Sequence, residues 1–195
     1  MPNPVREVPI LGFAAYSGTG KTTLLKSLIP LLRGRGLRVG VVKHAHHAFE
    51  IDQPGKDSFE LRSAGASPIM LSSSRRRAII TEHETPREPR LAEELQHFDH
   101  TDLDLILVEG FKNEPIPKIE LYRPALGKPL LYPRDECIIA LATDQKERFD
   151  SAPIPLLDLN NPTEVADFIS AWLSRQGARE MPLGPVQASQ ESQGG

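Results

Sequence analysis

Ala15-Tyr16-Ser17-Gly18-Thr19-Gly20-Lys21-Thr22 crowds two glycines, a lysine and two hydroxyl residues into its last five positions. The residues on either side of it say what the crowding is for. Upstream, Val8 to Ala15 is an apolar run with Pro9 near its start and a Gly/Ser/Thr cluster at its end, the pattern of a strand buried on both faces. Downstream, Leu24, Leu25, Leu28, Ile29, Leu31 and Leu32 make a helical stripe from Lys21 to Leu32, stopped by Gly34 and Gly36. Leu37 to Lys43, with Val39, Val41 and Val42, predicts a second strand, so the segment reads as a right-handed βαβ unit. The turn between strand and helix matches G-x-x-x-x-G-K-[ST], with Ala15 in place of the first glycine. In that pattern, backbone N–H groups wrap a polyphosphate, Lys21 neutralises its outer charge, and the Thr22 hydroxyl joins a Mg²⁺ shell. Gly18 and Gly20 supply backbone freedom and close approach, and the helix start adds its dipole. Alanine at position 15 is compatible if φ stays negative there.

Farther along, the pattern predicts a loop through 44–58, a short helix over Phe59–Ala64, strands at Ile69–Ser72 and Ala78–Thr81, and a helix over 88–98. Leu103–Val108 is a strong buried strand, followed by strands at Lys118–Tyr122 and Cys137–Ala142. A last helix is expected over Thr163–Arg175, opened by Asn161-Pro162-Thr163 and an early Glu164. Alternating strands and helices predict an α/β fold of the P-loop NTPase type, a three-layer α/β/α arrangement with a mainly parallel sheet. The expected organisation is a disordered lead at 1–7, one nucleotide-binding domain at 8–175, and a Gln/Ser/Gly-rich disordered tail at 176–195.

A net charge of −3 supplies no broad positive field, so nucleic acid is not an expected partner. Cys137 is the single cysteine, which rules out an intrachain disulfide and a cysteine-based metal cluster, and a reducing cytoplasm is expected. The first apolar run is too short for an export signal or a membrane span.

Beyond the loop, a phosphate site needs an acid at the end of a neighbouring strand, to hold Mg²⁺ through water or to orient an attacking water. Glu109 follows directly on Leu103–Val108, and Gly110 lets the chain turn there. Asp57 is the second metal and catalytic candidate, with a helix-capping role as the alternative. Lys43 and His44 come straight after a strand, where α/β proteins line their ligand clefts. His44, His46 and His47 invite a metal reading, but their spacing suits no single helical face. Arg75-Arg76-Arg77 reads as a solvated turn, with an anion site as the alternative. Asp144 ends a late strand, where guanine-specific proteins place an aspartate that accepts two hydrogen bonds from the base edge; a plain strand-ending turn is the alternative. No arginine stands out as a charge-stabilising finger, so any hydrolysis is expected to be slow.

Ala15 to Leu25, Val41-Val42-Lys43-His44-Ala45-His46-His47, Asp52-Gln53-Pro54-Gly55-Lys56-Asp57-Ser58, Arg62-Ser63-Ala64-Gly65-Ala66, and Leu105 to Lys112 together resemble the MobB family over about residues 8–175. These are molybdopterin-guanine dinucleotide biosynthesis adaptor proteins. The resemblance implies a dimeric GTP- and Mg²⁺-binding protein with weak GTPase activity that assists a MobA-type guanylyltransferase in attaching GMP to molybdopterin. It places the nucleotide at Ser17, Gly18, Thr19, Gly20, Lys21, Thr22 and Thr23, with Glu109 and Asp57 as acids and Lys43 and His44 lining the cleft. Two other classes share the loop. A small-molecule kinase would need a closing lid, for which only the Arg75–Arg77 run is available, and a metallochaperone GTPase would rest on the histidines after Lys43.

Overall fold

The computed structural model describes residues 8–45 and 51–179. The expected disordered lead, the expected tail beyond 179, and His46 and His47 lie outside the described residues; residues 176–179, expected as the start of that tail, instead belong to the last helix, which runs to Arg179. The chain divides into two compact units, one formed by the segments up to Val42 and from Asp99 onward, the other by Lys43–Phe98. The middle segment, expected within a single span, is thus a unit of its own.

In chain order the elements are β1 (Ile10–Ala15), α1 (Lys21–Gly34), β2 (Val39–Lys43), α2 (Asp57–Ser63), β3 (Ile69–Ser72), β4 (Arg77–Ile80), α3 (Leu91–Leu95), β5 (Leu105–Glu109), β6 (Lys118–Tyr122), β7 (Ile138–Thr143), β8 (Leu156–Asp158) and α4 (Pro162–Arg179). Most expected elements are present with shifted ends. The helix expected over 88–98 is only α3, because Pro89 lacks an N–H and disfavours the helical region for the residue before it. The last helix opens on Pro162, where a missing N–H costs nothing. Strand β8 was not expected: three residues next to Pro155 are too few to show a period.

The six-stranded sheet runs β2-β5-β1-β6-β7-β8. Strand β1 pairs in parallel with β5 and β6, β6 with β7, and β7 with β8. The two strands of the predicted βαβ unit are therefore not neighbours, since β5 lies between them. The apolar run of β5 is buried on both faces, which requires strands on each side and helix or loop above and below it.

Alternation along the strands sends Leu11, Phe13, Leu105, Leu107, Ile119, Leu121, Ala140 and Ala142 into one core. Helices α1 and α4 pack on each other and close this core, α1 through Leu24, Leu25, Leu28 and Leu32, α4 through Val165, Ala166, Ile169 and Trp172. A fully buried leucine such as Leu28 contributes about 1.5–3 kcal/mol.

The opposite face carries charge. Lys118 is 2% exposed and Glu120 is fully buried. The Lys118 ammonium donates to the carbonyls of Lys112 (3.1 Å) and Glu114 (2.7 Å) and pairs with Asp135 at 2.8 Å. Each oxygen of Glu120 accepts one backbone N–H, from Leu131 and Tyr132, both at 2.8 Å. The irregular stretch after β6 is thereby pinned to the sheet. Gly12, opposite Lys118 in the register, makes room for the lysine: a β-carbon there would lie 2.7 Å from Lys118 Cγ and 3.1 Å from Ile116 Cδ1.

In the second unit, β3 and β4 form an antiparallel pair from Ile69↔Ile80 to Ser72↔Arg77. Arg62 of α2 lies over the Phe59 ring and donates to Glu82 at 2.7 Å. Ile51, Leu61, Met70, Leu71 and Ile79 of this unit are exposed.

Burial raises the Glu120 carboxyl above the ordinary glutamate value, the two backbone N–H bonds oppose the rise, and the charge of Asp135 adds to it. A carboxyl raised on folding stabilises the fold while protonated and loses that contribution as pH climbs through its raised value. The stability of the wild type relative to Glu120→Gln is therefore expected to fall as pH rises from about 4.3, the unperturbed value, through the raised one. Urea unfolding across that range measures it, and a pH-independent difference would mean that Glu120 titrates as an ordinary glutamate.

Candidate functional site

Part of what shapes the loop between β1 and α1 comes from its own atoms. Gly18 and Gly20 have φ of 84° and 98°, where an L side chain is strained. At Gly18 nothing would touch an added β-carbon, so backbone conformation alone demands glycine. Ala15 is the last residue of β1, and no described non-glycine residue has positive φ, so the alanine meets the condition its substitution for glycine requires. Thr19 is 2% exposed, and its hydroxyl donates to the Tyr16 carbonyl at 2.8 Å, closing the bend from inside.

Gly20 caps α1, and the first helical bond runs from Leu24 N–H to Gly20 C=O at 2.9 Å. No side chain caps the helix start and no acid lies in its first turn, so nothing in α1 itself competes with an anion for those amides. Ser17, Gly18, Thr22 and Thr23 are exposed around it. The β1–β5 register sets Phe13 opposite Glu109, bringing the ends of both strands to one edge of the sheet. There Lys21 Nζ lies 3.7 Å from Glu109 Oε1, and Gly110, with φ of 97°, turns the chain away. Lysine, hydroxyl, uncapped amides and one carboxylate form a donor set that fits a triphosphate with Mg²⁺: Lys21 and the amides for phosphate, Thr22 and Glu109 for the metal.

Asp144 follows β7 at the same edge. Its Oδ2 accepts from Arg123 Nη1 at 2.6 Å, while Oδ1 is buried without a hydrogen-bond partner among the described residues. Sequence reasoning passed over Arg123 and Asn160, which complete this end. Arg123 follows β6 directly, and the rule that picked Glu109 and Asp144, a polar residue at the carboxyl end of a strand, applies to it equally. Its Nε donates to the Thr19 carbonyl at 2.9 Å and its Nη2 to Asn160 Oδ1 at 2.9 Å.

The remaining candidates belong to the second unit. Asp57 is the exposed first residue of α2 rather than its cap, where a negative charge favours the helix start. Asp52 is the buried acid of that loop, accepting from Ser58 Oγ at 2.8 Å with Arg62 3.9 Å away. Lys43 ends β2 and is exposed; His44 Nε2 lies 3.7 Å from Glu88 Oε2. Arg75 and Arg76 form the β3–β4 turn, where both their N–H groups donate to Ser73 Oγ, which fits the solvated-turn reading. Among the described residues no group of three or more His, Cys, Asp or Glu side chains is placed to hold a metal ion, and no helix is long and apolar enough to cross a membrane.

The family model for molybdopterin guanine dinucleotide synthesis protein B matches residues 10–144. The chain is 48% identical over 175 residues to a molybdopterin-guanine dinucleotide biosynthesis adapter protein of Haemophilus influenzae, covering 89% of this chain and 94% of that one. It is 48% identical over 170 residues to the protein of the same name from Escherichia coli, covering 87% and 95%. A crystal structure of molybdopterin-guanine biosynthesis protein B superposes with a TM-score of 0.64 at 25% identity, over 84% of this chain and 99% of that one. Tetraacyldisaccharide 4'-kinases of Pseudomonas share 31% identity over only 53% of this chain and 36% of their own length, so the kinase alternative has only a partial match behind it.

Glu109 faces Lys21 across 3.7 Å, so an incoming phosphate competes with a carboxylate for the ammonium. Glu109→Gln is expected to tighten nucleoside triphosphate binding severalfold without Mg²⁺ and to shrink any gain that Mg²⁺ brings. Calorimetric titration with and without Mg²⁺ measures both, and an undiminished Mg²⁺ effect would remove Glu109 from the metal shell.

Proposed function

Because the chain belongs to the molybdopterin guanine dinucleotide synthesis protein B family, we propose that it binds GTP with Mg²⁺ and serves as an accessory protein in molybdenum cofactor maturation. The observation that carries this reading is the uncapped start of α1, entered through two positive-φ glycines with Lys21 and Glu109 beside it. Ser17 to Thr23 embrace the phosphates, Lys21 neutralises them, and Thr22 and Glu109 hold the metal. Asp144 takes the base, its unsatisfied Oδ1 offering a buried acceptor to a guanine N–H. The partner is a MobA-type guanylyltransferase acting on molybdopterin in the cytoplasm, with the bound GTP as the guanine nucleotide at hand.

Hydrolysis is slow on this reading. Arg123 is the arginine hydrogen-bonded to the loop, and it spends its Nε and both Nη atoms on Thr19, Asp144 and Asn160 rather than on a transferring phosphoryl group. Glu109, 3.7 Å from Lys21, has the chemistry to orient water. Enzymatic turnover is thus secondary to presenting the nucleotide.

The working form is a homodimer. Met70 and Ile79 are exposed and directly paired across β3 and β4, which puts an apolar patch of the kind protein contacts cover on one face of that pair.

Loss of the Lys21 ammonium removes charge-assisted bonds worth about 1.5–3 kcal/mol, so Lys21→Ala is expected to weaken Mg²⁺-dependent GTP binding by roughly 10- to 100-fold. Wild-type protein, but not Lys21→Ala, is expected to raise the yield of molybdopterin guanine dinucleotide made by a MobA-type enzyme. Equal GTP affinity in the two proteins would defeat the nucleotide reading; equal support of the guanylyltransferase would defeat the accessory one. For the dimer, Met70→Asp with Ile79→Asp is expected to shift the sedimentation coefficient to that of a monomer while GTP affinity holds; unchanged sedimentation would exclude this surface.

A further inference from the structure

Arg123 touches three loops at the carboxyl edge of the sheet: the phosphate loop through Thr19, the loop after β7 through Asp144, and the loop after β8 through Asn160. Each contact constrains something a nucleotide would need. A trans peptide points its C=O and N–H to opposite sides. With the Thr19 carbonyl turned to Arg123 Nε at 2.9 Å, the Gly20 N–H is directed away from the arginine. The Thr19 hydroxyl acts on the preceding turn in the same way: by holding the Tyr16 carbonyl at 2.8 Å it directs the Ser17 N–H away from itself. The guanidinium also lies beside Gly20, where a β-carbon would sit 3.8 Å from Nη2.

The second contact fixes Asp144. Its Oδ2 is 2.6 Å from Arg123 Nη1, and the ion pair is largely withdrawn from solvent, with side-chain exposures of 29% and 20%. That bond sets the plane of the carboxylate and leaves Oδ1 buried and unsatisfied, which costs about 1–3 kcal/mol unless a donor arrives. Asn160 holds Nη2 from the third side, with its own backbone N–H tied to Asp158 at 2.8 Å. The guanidinium fork is thus fully oriented by three acceptors on three elements, which an ammonium on a flexible stem does not reproduce.

We propose that Arg123 is a positioning residue that couples the two ends of the nucleotide site, orienting the Thr19–Gly20 peptide for the phosphates and presenting one oxygen of Asp144 to the base. This rests on the nucleotide-binding reading above, and deepens it: base selection and phosphate grip are set by one side chain outside the sequence motif. Arg123 itself stays on the protein side of the ligand. Loss of the guanidinium loosens the loop and, in addition, releases Asp144 to turn to water, so the base contact suffers on top of the phosphate contact.

The test compares a ligand with a base and one without. Mg²⁺ complexes of GTP, ATP and inorganic tripolyphosphate are titrated calorimetrically into the full chain as wild type, Arg123→Ala, Arg123→Lys and Lys21→Ala. With Arg123→Ala, tripolyphosphate is expected to weaken by a few-fold and GTP by about tenfold more, so that the preference for GTP over ATP collapses. Arg123→Lys keeps the charge but not the fork and is expected to lose the same preference while losing less overall affinity; it carries the test alone if the alanine variant fails to fold. Equal losses for GTP and tripolyphosphate, with the GTP preference intact, would overturn the coupling, as would tighter GTP binding, which would make Arg123 a competitor for Asp144. A wild type that binds GTP and tripolyphosphate no better than Lys21→Ala would instead bring down the nucleotide reading itself.

Discussion

Parallel pairing of β1 with its two neighbours is the constraint from which the site follows. Strands that run the same way end at the same edge, so the chain leaving β5, β1, β6 and β7 must emerge in one row. Glu109, the phosphate loop, Arg123 and Asp144 are the first polar residues in that row. Main-chain hydrogen bonds hold them there before any side chain contributes, which is why a bend made of small residues can be both rigid and open at its mouth.

The same pairing leaves two faces to cover, and the chain covers them by different physics. One is closed by leucines of α1 and aliphatic and aromatic residues of α4, with no directional demands. The other holds Lys118 and Glu120, which are buried only because carbonyls, Asp135 and two backbone N–H groups meet their polar atoms. Those bonds anchor the 131–135 stretch to β6, the strand whose end delivers Arg123. Gly12 keeps β1 close enough for the lysine stem to lie against it.

The Haemophilus influenzae and Escherichia coli relatives are named adapters, and the site is consistent with such work. Its cations and donors are directed at holding: Lys21 is balanced by Glu109, and Arg123 is engaged with three protein acceptors. A transfer enzyme concentrates uncommitted charge on the migrating group. On the function proposed, the charge keeps a cradle in shape, a design suited to presenting a nucleotide more than to consuming it.

What the sequence by itself determined is local. The strand before Tyr16, the helix after Gly20 and the glycine-bearing turn between them were legible because burial period and φ preference act over a few neighbouring residues; Glu109 was legible because it ends an unmistakable buried strand. The family pattern added the segments around Lys43 and Asp57. Only the tertiary structure decided that β5 lies between β1 and β2, that Lys118 and Glu120 are interior, and that residues 43–98 form a unit of their own. It alone joined Arg123 to Thr19 across 104 positions and to Asp144 across 21. A periodic pattern records which side of an element is covered but not which element covers it, and contacts between strand ends exist only once the order of strands has been chosen.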